Sequence, residues 1–454
     1  MKTILGLLGI VASGALYASG FQLFEGNGTN AGNYGAGGAA EAADASTAFY
    51  NPAGLVLIQN EELVLAGTLV MDDIEFTGSS THSVADLEPS FYTENATDLQ
   101  GGGNPILVPA GHYAKPLTEN VVFGFSVTVP FGLATDWSDT SAVRYEATET
   151  KLQIIDFSPA LGAYVTEHLS VGLGLDLEYG TVDFNSMNGF PNVAESEYYK
   201  SSDPTALDAA SENHGTSFGI GAHAGVMYQF TPQTRVGLNY MSEVKHHFTG
   251  TSTLTDEAYA DIDGDPNTEV VTQSDFTSDN LTSDVTMPAT TTLSIFHRLS
   301  KRIALMGSVN YTQWSSVQDL VLYNVAGVSS TLTPEYLTIT DPQNFKDTWR
   351  TSVGANIYLT EKWMLRTGVG YDQTPTTDAD VNLRLPDGDR IGVSAGVHYQ
   401  VVKTLGLDLG WTHLFIQDRD IDNTDEVGDA SVTTTGTTEA QSDLVGAQIT
   451  WKIA

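Results

Sequence analysis

The sequence predicts an all-β fold: a transmembrane antiparallel β-barrel of about 14 strands, plugged by an N-terminal hatch. Three observations predict it. Segments of about ten residues alternate apolar and polar side chains, the period of a strand with two unlike faces. The connectors between them are alternately short and long, as when turns lie on one side of a membrane and loops on the other. Before the first alternating segment lies a glycine- and alanine-rich stretch, Gly20 to Gly54, with no alternation.

The chain has 454 residues, a length that ordinarily suggests several domains, but closing a large barrel takes many strands in one unit. It has no cysteine, so no disulfide or thiol chemistry. Its net charge of −37, with 19 basic residues, excludes nucleic acid as a partner. A mean hydropathy of −0.10 and 44 glycines exclude a helical membrane protein.

Residues 1–18 hold Lys2, a short apolar run and small residues, the pattern of a signal peptide cleaved near Ala18 or Gly20. The expected organisation is signal peptide 1–18, hatch 19–58 and barrel 59–454. Export without an apolar helix long enough to span implies that any membrane crossing is by strands.

His168–Gly180 shows the strand pattern. Leu169, Val171, Leu173, Leu175, Leu177 and Tyr179 share one face; Ser170, Gly172, Gly174, Asp176, Glu178 and Gly180 share the other. The same pattern recurs at Val121–Val129, Val236–Tyr240, Ile303–Tyr311, Trp363–Tyr371, Ile391–Val401, Leu405–Phe415 and Val445–Ile453. Tyr179, Tyr240, Tyr311, Trp363, Tyr371, Tyr399, Trp411 and Trp451 sit near strand ends, suiting two interfacial girdles. Six short turns, among them Pro116–Asn120 and Thr360–Lys362, join seven hairpins and so give the strand count. The long connectors, at about 77–104, 131–149, 183–215, 249–282, 316–345, 374–388 and 419–439, read as acidic loops. Asp261–Asn267 echoes the start of a calcium loop but lacks the glutamate that closes one, so a solvated loop is preferred and no metal is expected.

Three features carry functional expectation. The first is the hatch, where Phe21, Phe24, Tyr34, Phe49 and Tyr50 argue against a disordered tail. The second is Pro130-Phe131-Gly132: proline removes a ladder hydrogen bond and glycine allows a bend, so either the strand kinks and leaves a gap in the wall, or it ends there. The third is the strand after Phe345. Parity places Lys346, Thr348, Arg350, Ser352 and Asn356 on the lumen face, opposite Trp349, Val353 and Ile357. Lys346 and Arg350 are then candidates to hold a carboxylate by charge-assisted hydrogen bonds; the alternative is an internal salt bridge to Glu178 or Asp372. No nucleophile elbow, zinc-protease motif or phosphate loop is present, and neither an enzyme nor a cofactor is expected.

The order and spacing of several segments resemble the FadL-type transporters of Gram-negative outer membranes, over nearly the whole chain. They are Gly20-Phe-Gln-Leu, Asn51-Pro52-Ala53, Phe131-Gly-Leu-Ala-Thr, Arg144-Tyr145, Arg235–Lys245, Phe345-Lys346-Asp347, Trp363–Gly368 and Leu385–Arg390. The resemblance implies a 14-stranded barrel, a hatch that includes Phe21, Phe24 and Asn51-Pro52-Ala53, and a kinked third strand with a lateral opening at Gly132. It implies a ligand-collecting groove between the third and fourth long loops, here lined by Phe184, Met187, Phe190, Tyr198 and Tyr199. A family lysine that binds the carboxylate matches Lys346, whereas a second family cation falls near Asn185–Ser186 and is missing. The expectation is passive uptake of long-chain fatty acids across the outer membrane, in contact with lipid and lipopolysaccharide. The alternatives are uptake of aromatic or alkane hydrocarbons by the same route, and a surface adhesin or receptor without transport.

Overall fold

This computed structural model describes residues 20–24, 26–84, 91–189, 205, 208–255, 276–328, 334–427 and 430–453. The expected signal peptide and Asp261–Asn267 lie outside them.

The strands are β1 (Glu61–Val84), β2 (Phe91–Gln100), β3 (Ile106–Pro116), β4 (Val121–Asp136), β5 (Glu149–Tyr164), β6 (Leu169–Phe184), β7 (Ser186–Gly189), β8 (Asp208–Thr231), β9 (Thr234–Met241) and β10 (Val244–Thr255). They continue as β11 (Phe276–Met287), β12 (Thr290–His297), β13 (Ile303–Thr312), β14 (Asp319–Val328), β15 (Pro334–Pro342), β16 (Thr348–Tyr358), β17 (Trp363–Asp372), β18 (Arg390–Val402), β19 (Leu405–Ile416), β20 (Arg419–Val427) and β21 (Ala430–Ile453). Antiparallel pairing runs round a closed ring of 14 spans, the last closing on the first where Glu61 faces Ile453 and Leu69 faces Val445. Closure pairs neighbouring strands around the ring, the condition for sheet to cross a bilayer, except that among the described residues Ile106–Ala110 of β3 has no partner on β4.

The alternation read from His168–Gly180 holds residue by residue. In β6, Ser170, Asp176 and Glu178 are buried, whereas Leu173, Leu175 and Leu177 are exposed. Outward apolar side chains elsewhere include Phe218, Ile220, Val353 and Leu409. An exposed apolar belt over a polar interior is the inverse of a soluble sandwich and fits a wall that faces lipid.

Several of the long connectors are not irregular loops. β1 and β21 each continue for 24 residues and carry β2 and β20 on their flanks. β14 and β15 form another hairpin, and β8, β10 and β11 also run on past the belt. These stretches were expected as loops because their exposed faces are polar. Their hidden faces carry Ile74, Phe76 and Ile421, which form a core above the bore with Trp137, Val143 and Leu383, and Leu322 and Val325, which form a second with Phe184 and Leu281.

The described residues of 20–58 lie within the barrel. They form α1 (Gly28–Asn33), α2 (Gly38–Glu41), α3 (Thr47–Tyr50) and a 3-10 turn, Pro52–Leu57. Every residue of α1 is buried, and Asn27 caps it by accepting from the Asn30 amide at 2.8 Å. Irregular backbone at this depth is tolerated because protein surrounds it.

Candidate functional site

The wall receives this segment through glycines. A Cβ on Gly172 would lie 2.3 Å from the Pro52 carbonyl carbon, one on Gly162 2.3 Å from the Pro52 oxygen, and one on Gly225 1.9 Å from Asn51 Oδ1. Asn51-Pro52-Ala53 thus sits in a notch on β5, β6 and β8 that no side chain can share. Asn51 fixes it there: its Oδ1 accepts from the Ala53 amide at 3.0 Å and its Nδ2 donates to the Ala39 carbonyl at 2.6 Å. Ser170 Oγ donates to the Ala53 carbonyl at 2.8 Å.

The start of the segment is held by a strand. The Leu23 amide donates to the Pro130 carbonyl and the Gly132 amide donates to the Phe21 carbonyl, both at 2.8 Å. Gln22 therefore pairs with Phe131 as an added antiparallel bridge. β4 can accept it because its own ladder fails here. Pairing with β3 stops at Val127, opposite Gly111, and the register with β5 slips between Thr128 and Phe131. Proline supplies no amide to that ladder. Residues 129–135 are all buried, so beyond the slip β4 turns into the barrel and parts from β3. β4 does not end at Pro130 but runs on to Asp136, with its irregularity at Thr128–Phe131, just before Gly132.

Phe21 lies in an aromatic box, with ring centroids 4.6 Å from Trp314, 6.2 Å from Phe131 and 6.3 Å from Phe345. This box divides two cavities. The mid-bore cavity, of about 780 Å³, is bounded by Leu23, Phe24, Pro130, Phe131, Glu178 and Arg350. The second, on the loop side, holds about 840 Å³. Leu133, Leu152, Phe248, Leu281 and Leu320 are among its mostly apolar lining residues. A third cavity, of about 1070 Å³, lies on the turn side beneath the segment and is lined by charged groups such as Glu41, Arg235 and Arg366.

Arg350 is inside, as parity requires, and is 3% exposed. Its guanidinium lies 4.4 Å from the Phe24 ring centroid and 4.2 Å from that of Tyr34, and its Nε is 3.7 Å from Asp372 Oδ2. The alternative of an internal salt bridge is thus realised with Asp372; Glu178 instead meets His246 Nε2 at 2.7 Å. Lys346 is a correction. It precedes the first residue of β16, Thr348, so parity does not reach it, and its side chain is exposed and lines none of the three cavities. Phe184 lines the loop-side cavity. Met187 is half-buried on β7, where it pairs with Ala210 of β8, and lines none of the three cavities. Phe190, Tyr198 and Tyr199 lie outside the described residues.

Two cations line the apolar cavity, the half-buried Lys151 and the buried Arg384, and sequence reasoning missed both; Arg384 is the one set among the apolar side chains. Its guanidinium lies 3.5 Å from the Phe184 ring centroid. Nη1 donates to Thr150 Oγ1 at 3.0 Å and to the Asn185 carbonyl at 3.1 Å, and Nη2 to the Glu146 carbonyl. Among the described residues no carboxylate oxygen comes within 4.0 Å of it. Burial works against its charge and holds its pKa below the usual arginine value, and the fields of Asp341, Asp425 and Glu146 partly offset this. Burial also raises two of those acids, Glu146 to about 7 and Asp341 to about 8. The signal that would have found it is a cation set between Leu383 and Leu385 in an otherwise acidic loop.

A closed barrel with a lipid-facing belt, a bore filled by an N-terminal segment and a mostly apolar cavity on its loop side defines an outer-membrane transport protein for hydrophobic compounds. The chain belongs to the outer membrane protein transport family described as OMPP1/FadL/TodX, which it matches over residues 9–453. It is 28% identical over 424 residues to the long-chain fatty acid transport protein of Salmonella typhi, covering 91% of each chain. It is 26% identical to outer membrane protein P1 of Haemophilus influenzae, over 99% of this chain and 98% of the other. The fold is that of a Pseudomonas aeruginosa FadL homologue, with a TM-score of 0.79 and 23% identity over 96% of this chain and 100% of that one. The toluene transporter TodX of Pseudomonas putida shares it at a TM-score of 0.65 and 14% identity, over 96% and 100% of the two chains.

Proposed function

We propose that this protein passively imports long-chain fatty acids. The ligand enters between the extracellular strands and fills the loop-side cavity, with its carboxylate on Arg384 in place of the expected Lys346. Displacing the Phe21 box then admits it to the mid-bore cavity, and it leaves sideways between β3 and β4. Residues 20–58 act as the hatch. The observation that carries this reading is the pairing of an apolar cavity with one buried guanidinium that has no carboxylate partner among the described residues. Burial supplies affinity at about 0.8 kcal/mol per methylene, so chain length dominates, and the guanidinium selects the acid end.

Oleate uptake in a strain lacking its own transporter tests the proposal, and no rescue by a correctly inserted protein rejects it. The second reading, import of aromatic or alkane hydrocarbons, is favoured by the apolar lining and by the hydrogen bonds that Arg384 already makes to Thr150 and Asn185. Growth on toluene or octane in place of oleate would select it.

A further inference from the structure

The lipid-facing side of β1 ends abruptly. Leu63, Leu65, Leu69 and Met71 point outward, and the next outward residues are Asp73, Glu75, Thr77, Ser79, Thr81 and Ser83. Across the seam, β21 changes in step, from Trp451, Ile449 and Val445 to Gln441, Glu439, Thr437, Thr435, Thr433 and Ser431. From Asp73 to Ser83 the wall continues past the apolar belt for about 34 Å at the rise of an antiparallel strand. Here it is a four-stranded sheet in the order β2, β1, β21, β20.

The sheet has two unlike faces. Ile74, Phe76, Ala96, Ile421 and Val432 are buried on the inner one. The outer face carries hydroxyls in register. Thr93, Thr81, Thr433 and Thr424 are successive cross-strand partners, one threonine from each strand. The next row is Asn95, Ser79, Thr435 and Asp422. Neighbouring hydroxyls are hydrogen-bonded along the rows: Thr81 to Thr93 at 2.9 Å, Thr424 to Thr433 at 2.9 Å and Ser79 to Thr435 at 3.2 Å. Strand propensity favours threonine on an exposed face but does not require it to align across four strands. The lateral bonds fix the hydroxyl rotors, so donors and acceptors repeat at about the 4.8 Å strand spacing.

We propose that this face docks the saccharide part of lipopolysaccharide in the surrounding outer leaflet. Its position selects that occupant. It continues the lipid-facing side of the barrel upward without a break, so whatever touches it is joined to the leaflet the belt sits in. At that height the neighbour is the sugar of a glycolipid, not an acyl chain. An array of fixed hydroxyls, with Asn95 and Asp422 beside it, is matched to polyol hydroxyls by short hydrogen bonds.

The test titrates the detergent-purified full chain with lipopolysaccharide carrying core sugars, with lipid A lacking them, and with phosphatidylethanolamine, reading binding by native mass spectrometry and by the melting temperature. Core-bearing lipopolysaccharide is expected to bind tightest. Replacing Thr81, Thr93, Thr424 and Thr433 together by valine, which keeps shape and strand propensity, is expected to weaken it by roughly tenfold and to leave lipid A binding unchanged. Thr81→Val alone, with an unaltered melting temperature in detergent, serves if the fourfold variant folds poorly and is expected to weaken the same ligand by a smaller factor. Equal binding of lipid A and core-bearing lipopolysaccharide, or full retention of binding by a folded variant, overturns the proposal. Oleate uptake is measured alongside, because the docking face and the import route can fail separately.

Discussion

At the scale of single residues, Arg384 and Phe21 decide most. Arg384→Ala removes the only guanidinium among the residues lining the loop-side cavity. A lost charge-assisted hydrogen bond is worth about 1.5–3 kcal/mol, so fatty acid binding is expected to fall by roughly 10- to 100-fold while toluene or octane binding is unchanged. Fluorescent fatty acid titration, with a neutral hydrocarbon competing, checks both arms. The pH dependence follows from Glu146 and Asp341. Their folded pKa values of about 7 and 8 stand above the ordinary carboxylate range, so both are neutral at pH 6 and charged above pH 8. Once charged they compete with the ligand for Arg384, so carboxylate affinity is expected to drop as pH rises through that window, and neutral ligands are not. The same raised values mean that the native state holds protons the unfolded chain has released. These two groups therefore lower stability as pH climbs from the unfolded pKa to the folded one. Phe21 is 6% exposed within its aromatic box, and Phe21→Ala is expected to cost about 3–5 kcal/mol of local packing and to join the two cavities. Uptake selectivity for long over short chains would fall with it.

At the scale of elements, β4 and the Asn51-Pro52-Ala53 notch make separable predictions. Removing one residue from the slip, as in deletion of Val129, lets Thr128–Phe131 run in register with β5 and restores pairing toward β3. Uptake is expected to fall about tenfold or more with the barrel still resistant to detergent unfolding, since ladder hydrogen bonds are gained rather than lost. Gly172→Val places a side chain where Pro52 sits and is expected to unseat the 3-10 turn, read as faster proteolysis near residue 55 in a barrel that remains closed. The legibility of elements differed with their surroundings. Leu169–Tyr179 was readable because lipid and lumen impose opposite demands on successive residues. The extensions at Thr77–Val84 and Ser431–Thr438 were not, because water on one face and a loop core on the other leave threonine, serine and glycine where apolar residues would mark a strand. Lys346 was misplaced for a related reason: period two describes a strand and was carried two residues past the start of β16. The slip in β4 has a local cause in Pro130, whose missing amide can be read from sequence, whereas Arg384 enters the cavity through a tertiary fold-back of its loop over Thr150 and Asn185 that no local pattern encodes.

At the scale of the whole molecule, the three cavities lie in series along one bore, with mostly apolar linings on the loop side and charged ones on the turn side. That order sets a direction. A hydrophobic ligand gains burial through the first two and would lose it in the third, which is why the proposed route turns toward the bilayer at β3 and β4. Charge is arranged to match. The chain carries −37 overall, yet Arg235, Arg298, Lys362, Arg366 and Lys452 gather around the turn-side mouth. Deleting residues 20–58 is expected to leave a closed cylinder and to open it to small hydrophilic dyes, measured by liposome swelling, because the wall pairings do not depend on that segment.

The two hydrogen bonds that tie Leu23 to Pro130 and Gly132 to Phe21 have a mechanical meaning. They rivet the cork to the door frame. Any withdrawal of the first few residues from the bore must peel them off the broken strand, and any spreading of that strand must tug on them. On the proposed route, cargo arriving from above therefore meets one hinge in place of a latch and then a gate, and prising loose a single phenylalanine is expected to begin both movements together.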